Sequence, residues 1–314
     1  MSSVCFSKPG SAQDDVTGRL TATLMVAVVN GTPGGRSTVG DPVTVEIYKN
    51  EKLIDTLKSR VNEESNVIFE GLPLGETLLV VASCNHDKVV FQGHPVAMKA
   101  SKTSVTTRVS VYDVSPDDSK LSVTTHHIII KHRENYLFVS EYMRIKNSSH
   151  MAIRSDKRDN NNKPIALKIM LPSGYKNFQS LRYFFADALV FTDEGFYDTM
   201  AIAPGEYDVQ FSYTLDIDAE TMDFSKKVSL PTDSLIVLIA MPYVEAKGLG
   251  PSSEFTMANG KSSEYYPMGS LKRGEKVRFQ LAGFELPKPD RSWIIIAIVF
   301  GLIAVLVMRR LLRK

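Results

Sequence analysis

Residues 293–308 read WIIIAIVFGLIAVLVM, sixteen positions with no charge and no proline, directly before RRLLRK. A folded core has no need of so long an apolar run. Crossing a bilayer as a helix takes about 20 residues. Leu311 and Leu312 extend the stretch if Arg309 and Arg310 snorkel toward headgroups, and Trp293 stands where an interfacial aromatic belongs. The expectation is a C-terminal transmembrane helix over 293–312, preceded by a juxtamembrane segment at 287–292 and followed by the basic tail end 313–314. Arg309, Arg310, Arg313 and Lys314 outweigh Lys288, Asp290 and Arg291, which predicts a cytoplasmic tail and an outside body. The N-terminus, MSSVCFSKPGSAQDD, has neither the basic region nor the apolar core of a signal peptide. Either a leader precedes this start, or the protein is tail-anchored with a cytosolic body.

What precedes the run is long enough for two domains. Hydrophobic residues make up 43% of the 314 and charged residues 23%, the balance of a globular chain. Lys and Arg total 37 against 35 Asp and Glu, so nucleic acid is not an expected partner. The four charges of RRLLRK alone separate a formal net charge of +2 from −2. Two cysteines, Cys5 and Cys84, make no disulfide framework and no CxxC pair. A buried thiol at Cys84 and a Cys5–Cys84 bridge both stay open.

The body reads as mainly β. Val43, Val45 and Ile47 of VTVEIY alternate with Thr44 and Glu46, as in a strand with one face in a core. Short β-prone runs recur between NGTPGG (30–35), KNEK (49–52) and GLPLG (71–75), the punctuation of an antiparallel sandwich. After SPDDSK (115–120) a second set begins. Its clearest member is the stripe Tyr207, Val209, Phe211, Tyr213 and Leu215, opposed by Asp208, Gln210, Ser212 and Thr214. The predicted organisation is a flexible lead-in at 1–15, one sandwich at 16–114, a linker at 115–120, and a second sandwich-like domain at 121–286. The Gly-, Ser- and Tyr-rich stretch 248–269 is a polar excursion from the second. The expected fold is thus two antiparallel β-sandwich domains followed by one transmembrane helix.

Residues 66–83, NVIFEGLPLGETLLVVAS, carry Phe69, Gly71, Leu72, Pro73 and Gly75 in the order F-x-G-L-P-x-G, and VVNGTPGGRSTVGDPVTVEIY lies upstream. Over about residues 16–113 the chain resembles carboxypeptidase regulatory-like domains, which have a transthyretin-like β-sandwich. The resemblance implies a noncatalytic module of the kind appended to enzymes, surface proteins or transport components. It also suggests a bacterial chain, hence an inner-membrane protein with its body extracytoplasmic.

No GxGxxG, GxxxxGK[ST] or GxSxG arrangement occurs, which argues against P-loop and standard dinucleotide enzymes; no cofactor is expected. The candidate metal ligands are His126 and His132, joined by His86 if the fold brings them together, and the acidic run Asp216, Asp218, Glu220 and Asp223. That run begins like a calcium loop but lacks its central Gly and final Glu. Adjacent His126 and His127 point to opposite faces of any strand, so they make an awkward ligand pair. Asp187, Asp193 and Glu194 act as paired carboxylates only if they converge. Asn30-Gly-Thr and Asn147-Ser-Ser match the glycosylation pattern. Tyr265 and Tyr266 are candidate partner contacts.

The leading expectation is a noncatalytic, membrane-anchored protein-binding or structural module in the cell envelope. One alternative is a ligand-binding protein, or a metal- or carboxylate-dependent enzyme, with an interdomain site. Another is a carbohydrate-binding envelope protein, which calls for exposed aromatics beside polar side chains in a groove.

Overall fold

A computed structural model of the chain describes residues 21–73, 78–99, 101, 103–133, 135–241, 243–256 and 262–284. The first unit holds strands β1 (Thr21–Asn30), β2 (Pro42–Lys49), β3 (Lys52–Arg60), β4 (Asn66–Pro73), β5 (Leu78–His86), β6 (Val89–Gln92), β7 (Val96–Met98) and β8 (Ser104–Val111). A three-stranded sheet runs β4-β1-β8. A second runs β3-β2-β5-β6, with β7 also on β5. The period-two pattern decides what each strand buries. Leu24, Val26 and Val28 of β1 face Val43, Val45 and Ile47 of β2 inside one core, and Val80, Ala82 and Cys84 of β5 complete it. Gly71 sits at φ +73, a left-handed conformation that side chains resist, and lies where the β1–β4 register shifts between the Leu24–Phe69 and Ala22–Leu72 pairs.

Next come β9 (Val114–Ser115), at the boundary between the expected first sandwich and the linker, then β10 (Leu121–Arg133), β11 (Tyr136–Asn147), β12 (Ala152–Ile153), β13 (Leu167–Met170), β14 (Lys176–Arg182), β15 (Leu189–Thr192), β16 (Gly195–Asp198), β17 (Gly205–Asp216), β18 (Thr221–Lys227), β19 (Thr232–Ile239), β20 (Glu245–Lys247), β21 (Ser253–Thr256), β22 (Ser262–Leu271) and β23 (Lys276–Ala282). Seven of them form one sheet, β14-β17-β11-β10-β19-β22-β21. Two three-stranded sheets, β13-β16-β15 and β18-β23-β20, share a single core with its inner face. Phe196 of β16 meets Phe211 of β17 edge-on at 5.5 Å. Phe224 of β18 stacks on Phe279 of β23 at 4.7 Å.

Several expectations are corrected here. Among the described residues no helix is long and apolar enough to cross a membrane; the one-turn 3-10 segments Asp118–Lys120 and Ala186–Ala188 are the helical elements found there. The described apolar runs alternate in and out, so they extend into strands, the longest of 13 residues. The expected span 293–312, with Trp293, Arg309, Arg310, Arg313 and Lys314, lies outside the described residues, as do the lead-in 1–15 and Cys5. The described chain is a mostly β-sheet structure without the anchored, single-pass architecture expected. The lipid bilayer as partner and the inner-membrane placement rested on that helix, and no helix among the described residues supports them. Nor are the sheets wholly antiparallel: β1 pairs β8, β10 pairs β19 and β9 pairs β12 in parallel. The stretch 248–269 is no simple excursion, because β21 and β22 lie in it and β22 pairs with β19.

The two units touch. The Ala152 side chain belongs to the first unit's core, with Ala201 and Ala203 packed against it. The Thr32 hydroxyl donates to the His150 carbonyl at 2.9 Å, and Arg154 donates to the Lys88 carbonyl at 2.9 Å.

Candidate functional site

Glu141 lies at the centre of the seven-stranded sheet, on β11, and is 0% exposed. Its register partners are Ile128 on β10 and Phe211 on β17, so its carboxylate enters the core and not water. A lone carboxylate there would cost several kcal/mol. Three side chains surround it with four polar contacts. Lys226 Nζ lies 2.7 Å from each oxygen. The Tyr213 hydroxyl donates to Oε1 at 2.8 Å, and His126 Nε2 lies 2.8 Å from Oε2. Burial alone would raise the Glu141 carboxyl, but the Lys226 ammonium and His126 override it and bring it down to about 2. Burial lowers both His126 and Lys226 despite Glu141, and pushes the Tyr213 phenol well above its usual value. His126 is therefore a neutral donor, and the ion pair is Glu141–Lys226. The cluster fastens β10, β11 and β17 to β18 of the facing sheet.

An open groove lies beside this cluster. Strand alternation sends Lys226 inward and Lys227 outward to its rim. Val228, Ser229 and Leu230 form the wall between the groove and a small cavity of about 10 Å³ touching His126 and Lys226. The Ser229 hydroxyl accepts the Met170 amide at 2.8 Å and ties that wall to β13. The groove encloses about 390 Å³ over a floor that includes Leu121, Leu167 and Leu230. Its rim carries three cations, Lys168, Lys227 and Arg273, against two carboxylates, Asp118 and Glu194. Lys168 pairs with Glu194 at 2.8 Å and Arg273 with Asp118 at 2.9 Å. Lys168, through its hydrogen bond, holds the Glu194 carboxyl below its usual value, and Lys227 adds to that pull.

A second groove, of about 510 Å³, lies at the opposite side of the 193–194 turn, where Tyr175 and Phe191 stand among Ser173, Lys176, Asn177 and Asp193.

The sequence-derived candidates do not converge. His126 is enclosed in the core, whereas His132 Nδ1 lies 2.7 Å from the Tyr243 hydroxyl at the far end of β10. His127 faces outward beside Tyr142, 5.8 Å between rings. His86 belongs to the other unit, between Asp41 at 2.6 Å and Asp113 at 3.0 Å. Asp216 pairs with Lys176 at 2.6 Å and Asp223 accepts from Gln280 at 3.0 Å, while Asp218 and Glu220 are exposed. No group of three or more His, Cys, Asp or Glu able to hold a metal occurs among the described residues. Asp187 is exposed, and Asp193 and Glu194 line different grooves. Tyr265 is half-buried and Tyr266 buried with its hydroxyl on Glu264, so neither projects freely from the expected polar excursion. Asn30 and Asn147 both spend their amide hydrogens inside the protein: Asn30 on the Arg36 carbonyl and Asp113, Asn147 on the carbonyls of Met151 and Ile202.

Sequence reasoning missed Glu141, Lys226 and Tyr213. The one signal available was alternation: Phe224, Lys226 and Val228 share a face, which puts a lysine in line with core residues.

No protein-family model matches the sequence, and neither does any curated protein. Among solved structures, an M1 zinc metallopeptidase from Deinococcus radiodurans bound to a tripeptide is 12% identical with a TM-score of 0.31. That likeness covers 52% of this chain and 42% of the peptidase, so the chain spans less than half of that enzyme. The full-length major pilin SpaD from Corynebacterium diphtheriae is 9% identical with a TM-score of 0.22, over 89% of this chain and 90% of the pilin. Likenesses at these scores bear on neither fold nor role.

Proposed function

We propose that this chain is a ligand-binding β protein that holds a small amphipathic anion in the groove of its second unit. The observation that carries the reading is the pairing of an apolar floor with three cations and two carboxylates on the rim. An aliphatic tail gains by leaving water, at about 25 cal/mol per Å² of apolar surface. A carboxylate or sulfate head then sits beside Lys227 and Arg273. Most of the groove is preformed, since the Glu141 cluster holds β18 on the sheet behind it, and a preformed site costs less ordering on binding.

Titration calorimetry with octanoate tests this, with octanol and octyltrimethylammonium as controls. Octanoate should bind at least tenfold more tightly than either control. Lys227→Ala and Arg273→Ala should each weaken it about fivefold, on the order of 1 kcal/mol for an exposed charge contact. Equal affinity for octanol and octanoate, or no binding of octanoate, would remove the proposal.

A further inference from the structure

The groove beside Phe191 is independent of the anion site and differs from it in chemistry. Phe191 is a large aromatic left 51% exposed. It is nonetheless held rigidly. Phe178 meets it edge-on at 5.1 Å, and Phe196 lies behind at 6.1 Å. Phe196 and Phe178 in turn pack on Phe211 in the core. Exposed aromatic surface fixed from behind offers a flat apolar face with little conformational entropy left to lose.

The opposite wall is equally fixed. The Tyr175 hydroxyl lies 2.8 Å from the carbonyls of both Thr192 and Gly195, which sets its ring across the same groove. Asn177 adopts φ +50, and the register of β14 against β17 shifts between Lys176 and Gln179, a bulge that turns the strand where the groove opens. The Asn177 amide donates to Thr214 Oγ1 at 3.0 Å, leaving its oxygen as an acceptor. Lys176 is neutralised by Asp216 at 2.6 Å. Asp193 and Ser173 stand at the rim.

The lining therefore combines aromatic faces, hydrogen-bonding groups and a carboxylate with no surplus of cations. An anion is disfavoured there. A hydroxyl-rich neutral molecule with one apolar C–H face fits: its hydroxyls donate to Asp193 and Asn177 while its carbon face covers Phe191. The volume, about 510 Å³, lies within the range of roughly 300–1,000 Å³ usual for small-ligand sites. We infer that this groove is a saccharide site for a neutral hexose oligosaccharide, with Phe191 and Tyr175 as the stacking surfaces and Asn177 and Asp193 as the hydroxyl partners.

Calorimetry of the full chain with cellohexaose, maltohexaose and chitohexaose is the test. At least one should bind, Phe191→Ala should weaken it tenfold or more, and Phe191→Trp should retain it. Because Phe191 is half exposed, near-UV circular dichroism should show the alanine variant folded. Lys227→Ala should leave sugar binding unchanged, which separates this site from the anion groove. If none of the three sugars binds at millimolar concentration, or if Phe191→Ala binds as tightly as the parent, the inference is overturned. Loss of sugar binding in Phe191→Trp together with Phe191→Ala would equally remove the stacking role.

Discussion

Glu141 and Lys226 stay charged inside the protein because each answers the other's desolvation, with His126 and Tyr213 filling the remaining lone pairs. Removing one partner strands the other. Lys226→Met should therefore cost about 3–5 kcal/mol in urea unfolding, whereas Glu141→Leu combined with Lys226→Met should recover most of that loss. Asp198 shows the reverse case. Burial raises its carboxyl to about 6, against amide hydrogen bonds from Met200 and Thr199. An acid with a raised folded value leaves full stability below the unfolded value of 3.8, and stability drains as pH climbs through 6. Asp198→Asn should flatten that decline and gain on the order of 1–3 kcal/mol at pH 7.5, read from unfolding curves at several pH values. The two buried histidines oppose each other. Burial disfavours charging of His86, but hydrogen bonds to Asp113 and Asp41 outweigh it and raise the ring above 6.5. Its contribution is complete below 6.5 and lost as pH rises through the folded value. His126, lowered by burial, contributes above 6.5 and loses that contribution as pH falls. His86→Gln should consequently cost more stability at pH 5.5 than at pH 8.

At the level of single strands, the β15–β16 hairpin leaves no room for a side chain at Gly195. A Cβ on Gly195 would lie 2.1 Å from the Ile169 carbonyl, and the residue holds φ +136. Gly195→Ala should lose about 2 kcal/mol or more and disturb both grooves, because Thr192, Asp193 and Glu194 precede it. Calorimetric melting checks the first effect. Alternation made several strands readable in advance. Val43, Val45 and Ile47 are buried, and so are Val209, Phe211, Tyr213 and Leu215. It misled where context overrode it. Ser212 and Thr214 oppose that stripe and are buried too, in an interior strand flanked by β11 and β14. β22 reads as part of a polar excursion because only a few of its side chains, such as Ser263 and Tyr266, turn inward, though its backbone is paired on both sides. The parallel pairing of β10 with β19 joins segments about a hundred residues apart, which no local pattern specifies. The grooves were hidden for the same reason: Asp118, Lys168, Lys227 and Arg273 meet only after the sheets are assembled.

Across the whole molecule, the two units meet at a small apolar contact, beside a polar network that belongs to the first unit and reaches the second through the Asp113 carbonyl, which accepts from the Ala152 amide. His86 is 2% exposed and bridges Asp41 to Asp113, while Asn30 and the Arg36 amide also bind Asp113. Ala152 fills the first core from the second unit's side. Ala152→Arg should break that contact and separate thermal unfolding into two transitions, where the parent shows stronger coupling; differential scanning calorimetry distinguishes the two. Cys84 lies at the heart of this same first unit, fully enclosed, its thiol pushed up to about 12 by burial and Asp41. A sulfhydryl so protected ignores alkylating reagents while the sandwich is shut. With Cys5 replaced by serine, the pace of iodoacetamide modification becomes a clock for how often that unit breathes open.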